Sequence, residues 1–138
     1  MIKSIKKSIL LPGSFFEERW QTKIDLIATE NRYNTIYFYD HDVNPVNKNL
    51  PVYAQFEAIN KVQDHNADLR LGTLITNITR HSLDKICTSL NNFLLMSKGF
   101  DLGIGIGDDM YEAKSKQNDL DINATIDGIL SNFIFDNN

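Results

Sequence analysis

Four short runs of β-branched, aromatic and aliphatic residues recur along the chain at intervals of roughly 30 residues, and each gives way to a stretch with helical spacing. They fall at residues 6–11, 35–39, 69–75 and 100–106. None is long enough for a helix, so each reads as a strand. The second, TIYFY, is rich in residues that suit a buried strand. Strands that alternate with helices at this interval indicate parallel βαβ units. Right-handed crossovers then bring every strand C-terminus to one end of the sheet. The expected class is α/β, with four βα units and parallel strands, in a single domain over residues 1–138.

Four helical stripes fill the intervals. Phe16, Trp20, Ile24 and Ile27 form the first, fading near Asn31, with Ser14 and Glu17 spaced as a capping box. Val52, Phe56, Ile59 and Val62 form the second, closing near Asn66. Leu83, Ile86, Cys87, Leu90, Phe93 and Leu94 make the clearest stripe, with Ser82 as its N-cap and Gly99 as a stop residue after Lys98. Ile122, Ile126, Ile129, Leu130 and Phe133 make the last, weakened at Gly128. A chain of 138 residues with 42% apolar content can build a substantial core.

Composition narrows the function. Net charge is −4 with no basic run, which argues against nucleic acid as a partner. A single cysteine, Cys87, rules out an internal disulfide and suits a cytoplasmic location. It lies on an apolar stripe, as a core residue does. No apolar run approaches the ~18–20 residues of a membrane span. The opening MIKSIKKSILLPG has lysines before apolar residues, but its apolar part is only Ile9, Leu10 and Leu11. It reads as a strand rather than a targeting segment.

The chemistry-bearing residues gather just after the strands. Asp40, His41 and Asp42 follow the second strand; His41 suits proton transfer near neutral pH with an acid beside it, and a polar turn explains the same residues. The loop from Thr76 to His81 carries hydroxyls, an amide, a guanidinium and an imidazole, which suit a flavin-type ring or an anion. A capped helix start with a solvated Arg80 explains it as well. Gly103, Gly105 and Gly107 alternate along the fourth strand and share one side of it. They allow close approach of a backbone or a flat ring. Their spacing is not a dinucleotide fingerprint. Asp108 and Asp109 form either an acidic site or a solvated turn. His41, His65 and His81 lack metal-ligand spacing, so no metal is expected.

In combination these residues resemble the luciferase-like monooxygenases, the family of bacterial luciferase and the F420-dependent oxidoreductases. LRLGTLITNITRHS, a helix, and then FDLGIGIGDDMYEA are similar to that family's strand ending LGT-x-V-T, its T-x-RHP loop and its strand ending LGIGAG. YFYDH is similar to its W-x-x-DH. The likeness covers roughly residues 4–115, and Ser82 stands in place of the usual proline. It implies a relative of the TIM barrel, here the N-terminal half, binding FMN or coenzyme F420 at the strand C-termini. By position it places a bulge with a non-prolyl cis peptide at Leu74 and Ile75, behind the ring. Asp40 and His41 would be the catalytic pair, with Asp40 orienting His41 or touching substrate. Thr76 and Asn77 would lie at the ring, with Asn77 near its polar edge, and Gly107 and Asp108 would line the pocket. A family barrel has eight strands, and four are found here. Activity would then need a homodimer or a partner chain to complete the barrel. The alternatives are a non-catalytic flavin-binding or assembly module that keeps the half-barrel, and a flavodoxin-like open sheet.

Overall fold

A computed structural model shows four strands and four helices in strict alternation. They are β1 (Ser8–Leu11), α1 (Trp20–Glu30), β2 (Thr35–Phe38), α2 (Gln55–His65), β3 (Leu71–Asn77), α3 (Leu83–Phe93), β4 (Phe100–Gly105) and α4 (Asp119–Asn132). The structure describes residues 6–12, 16, 18–30, 33–40, 49, 54–78, 81–93, 98–105 and 119–133. The sheet has the order β1-β2-β3-β4 and every pairing is parallel.

The register sorts side chains into two faces, because successive strand residues point to opposite sides. Ile9, Ile36, Leu71 and Phe100 form one row across the sheet, and Leu11, Phe38, Thr73 and Leu102 the next. These rows meet the helices. Ile24 of α1, Ile59 and Val62 of α2, Ile86, Leu90 and Phe93 of α3, and Ile129 of α4 join Ile36, Phe38 and Leu71 in one buried cluster. Phe93 stacks on Phe100 at 4.7 Å between ring centres and meets Phe56 at 5.9 Å. Each such side chain contributes about 1.5–3 kcal/mol by leaving water. All four helices therefore feed the same side of the sheet. Sequential strand order with right-handed crossovers requires this, whereas doubly wound sheets reverse their order to cover both faces. The row between, Leu10, Tyr37, Gly72 and Asp101, points the other way.

Several boundaries differ from the sequence reading. α1 begins at Trp20, a turn later than the apolar stripe suggests. Arg19 takes a left-handed φ of 66°, which turns the chain after Phe16. Phe16 still packs on Trp20 and Phe38, with ring centres at 5.0 and 6.4 Å. β3 extends to Asn77, so Thr76 and Asn77 belong to the sheet and pair with Ile104 and Gly105. α3 starts as read: the Lys85 N–H donates to the Ser82 hydroxyl at 3.2 Å. Gly128, read as a weak point, is a contact: a methyl there would lie 2.5 Å from Leu83 Cδ2. The expected Ser14–Glu17 capping box, Val52 and Leu94 lie outside the described residues.

Candidate functional site

At its C-terminal half β3 runs out of step with β4. Thr73 pairs with Leu102 and Thr76 with Ile104. Leu74 and Ile75 are thus set against Gly103 alone, which makes a bulge. The peptide bond between Leu74 and Ile75 is cis. Cis bond and bulge fall at the two residues that the family resemblance singles out. The Thr73 hydroxyl bridges the gap, donating to the Gly103 carbonyl at 2.9 Å and accepting from the Gly103 N–H at 3.1 Å.

The side chains of the bulge lie over the glycines of β4. A methyl at Gly103 would sit 3.6 Å from both Leu74 Cδ1 and Ile75 Cγ2, and one at Gly105 would collide with Ile75 Cδ1 at 2.1 Å. Gly105 therefore leaves room for Ile75. Leu74 is 44% exposed, unusual for a strand leucine. The pair forms an apolar platform on the side of the sheet opposite the helical core.

Two polar side chains tie this strand end to its neighbours. Gln55, the first residue of α2, is buried. Its Nε2 donates to the Phe38 carbonyl at 2.8 Å and to the Ile75 carbonyl at 3.0 Å. Its Oε1 accepts from the Thr76 hydroxyl at 2.9 Å. Asp40, just past β2, is 4% exposed. Its Oδ2 accepts the Asn77 N–H at 2.7 Å and lies 2.8 Å from His81 Nε2. An ionised carboxylate only accepts, and with Asp40 in that form Nε2 carries the proton of the contact. The His81 ring also packs on Phe56 at 5.6 Å.

A second polar cluster sits toward the N-terminal strand ends. Asp101 accepts from the Thr35 hydroxyl and the Tyr37 phenol, each at 3.1 Å, and pairs with the Arg70 guanidinium through both oxygens. Burial pushes the Asp101 carboxyl up, but Arg70, Tyr37 and Thr35 outweigh it and hold it below the ordinary value of 3.8. Burial, then the Asp101 charge, pushes the Tyr37 phenol above 10.0. An open cleft of about 400 Å³ lies nearby, lined in part by Lys6, Lys7, Asn34, Arg70 and Lys98. These residues precede the strands, so the cleft lies at the N-terminal end of the sheet, away from the bulged end of β3. Cys87 is half-buried, and burial followed by Asp84 pushes its thiol up, the opposite of an activated nucleophile.

Of the residues singled out in the sequence, Asp40, Leu74, Ile75, Thr76 and Asn77 come together at the C-terminal ends of β2 and β3. Leu74 and Ile75 face outward over β4. Thr76 and Asn77 are buried, at 0% and 1% exposure, and hold Gln55 and Asp40 respectively. His41, Gly107 and Asp108 lie outside the described residues. Gln55 was not legible: a glutamine at the start of an apolar stripe carries no motif. Among the described residues there is no cluster of three metal-ligating side chains, and no helix is long and apolar enough to cross a membrane. No family profile, no curated protein and no solved structure matches the chain.

Proposed function

We propose that the chain is the ring-binding half of a flavin- or deazaflavin-dependent oxidoreductase of luciferase-like type, taking FMN or coenzyme F420. The observation that carries this reading is the bulged end of β3, where Leu74 and Ile75 lie across the glycines of β4. A flat, largely apolar ring needs a flat, apolar support with little beneath it, and these residues fit that need. When bound, the cofactor would supply hydride transfer or oxygen activation. The chain's part is to support the ring and manage a proton. Asp40, fixed by the Asn77 N–H and paired with His81, anchors the end of β2. His41, the next residue, would be the proton-transfer group, with Gly107 and Asp108 closing the pocket. Asn77 would contribute through its backbone N–H, which holds Asp40 at the end of β2.

A second reading, a non-catalytic binding or assembly module, draws on the sheet itself. Among the described residues all four helices feed one side and no helix lies on the other, whereas parallel sheets are usually covered on both faces. A second copy or a partner chain related by an axis along the strands would place β4 beside a parallel β1 and cover that face. Native mass spectrometry with an absorbance spectrum tests both readings. The enzyme reading expects uptake of FMN or F420 by a dimer or hetero-complex. A colourless assembly that takes up neither would favour the module, and a monomer that takes up neither would remove self-association and leave only a partner chain or an open sheet.

A further inference from the structure

We infer that Gln55 is the positioning residue of the ring support: its amide aims Ile75 across β4, so that α2 sets the platform on which a flavin or deazaflavin ring would rest. The inference rests on the ring-binding reading above and extends it to a residue on a different element. A bulge frees main-chain groups that a regular ladder would pair. The Ile75 carbonyl is one of them, and it points to the helical layer, where it accepts from Gln55 Nε2 at 3.0 Å. With its carbonyl drawn to that side, Ile75 turns its side chain to the other, over Gly103 and Gly105.

The site demands an amide in particular. Two carbonyls, of Phe38 and Ile75, need donors, and the Thr76 hydroxyl needs an acceptor. A primary amide offers two N–H donors and a carbonyl oxygen in one plane. An ionised carboxylate would turn lone pairs toward both carbonyls, and a hydrocarbon would remove all three bonds. Because one nitrogen reaches both β2 and β3, Gln55 also fixes the two strand ends that flank Asp40 relative to the platform.

The test uses Gln55→Met, which keeps length and volume and removes every hydrogen bond, with Val62→Ala as a control. Val62 is fully buried on the same helix two turns away, so its truncation destabilises without touching the amide. FMN and F420 affinities are read by fluorescence titration. The placement of Ile75 is read in the ligand-free protein from the nuclear Overhauser contact between its δ1 methyl and the Gly105 α-protons. We expect Gln55→Met to weaken ring binding at least tenfold and to lose that contact, while Val62→Ala keeps both. Should Gln55→Met not fold, Thr76→Val is the second variant, since it removes only the hydroxyl that orients the amide; the same two losses are expected. Unchanged affinity in Gln55→Met, or an equal loss in Val62→Ala, would overturn the inference and leave the ring-binding reading standing. A wild-type protein that binds neither FMN nor F420 would overturn the reading and the inference together. Absence of the Ile75–Gly105 contact in the wild-type protein would overturn the inference alone.

Discussion

Replacing Asp40 by alanine should cost the protein about 3–4 kcal/mol. The side chain is 4% exposed, and one oxygen serves both the Asn77 N–H at 2.7 Å and His81 Nε2 at 2.8 Å. A hydrogen bond to a charged acceptor contributes about 1.5–3 kcal/mol, and a buried donor left unpaired costs about 1–3 kcal/mol. The two losses overlap, because Asn77 takes part in both, so their simple sum overstates the effect. Asp40→Asn keeps an oxygen for the Asn77 N–H and forfeits the charge, so about 1–2 kcal/mol is expected. Against a total stability of about 5–15 kcal/mol, the alanine loss is large and easily measured. Urea unfolding is the assay. With a slope of about 1.5–2 kcal/mol per molar urea, the alanine midpoint should fall by about 2 M at unchanged slope. His81→Ala also loses the packing on Phe56, so its cost alone is ambiguous. The double variant resolves it: the two changes should fall short of additivity by well over ~0.5 kcal/mol. An alanine cost under ~1 kcal/mol, or additive single effects, would refute the claim that Asp40 joins β2, β3 and the start of α3.

Three further outcomes follow from the packing and charges. Asp101→Asn should cost about 1 kcal/mol at neutral pH, a modest figure because Asp101 and Arg70 are each about a third exposed. Since the folded carboxyl titrates below 3.8, that difference between wild type and variant should vanish as pH falls from 3.8 through the lower folded value, read by urea melts across that range. Gly103→Ala should be more damaging than Gly105→Ala, because its methyl meets the Thr73 carbonyl at 2.6 Å while the other meets only the end of Ile75; thermal melts in the opposite order would contradict the described bulge. Gly128→Ala gains about 1 kcal/mol of helix propensity but crowds Leu83 Cδ2 at 2.5 Å, at about 1–3 kcal/mol. A net loss is expected in the wild type and a net gain in a Leu83→Ala background, and melting temperatures that move the same way in both would sink that account.

The sequence carried the architecture well, because strand and helix periodicity are local signals. Ile86 and Phe93 announce their face through helical spacing, and Ile36 and Phe38 mark a buried strand through residue type. Boundaries were harder where a single residue decides them. Arg19 has no feature that marks a left-handed turn, so α1 was read one turn too long. β3 was read as ending at Ile75 because Thr76 and Asn77 look like loop residues, whereas the sheet buries both and pairs their side chains or backbone with Gln55 and Asp40. The polar contacts of the site were the least legible part. Gln55 lies 17 residues from Phe38 and 20 from Ile75, and Asp40 lies 41 from His81. Nothing local in the chain marks which polar side chain will meet which carbonyl after folding.

The Thr73 hydroxyl that bridges Gly103 has a consequence for how this sheet can change over generations. Main-chain hydrogen bonds ordinarily survive mutation, because every residue brings the same N–H and C=O. At Gly103 the N–H and the carbonyl are each also bonded by one side-chain hydroxyl that is wholly buried. The geometry of the backbone is therefore written, at that one rung, in a codon. Serine can inherit the position; valine, with the same shape, would remove both of those bonds at once. Strand register, usually independent of side-chain identity, here draws part of its support from one buried hydroxyl.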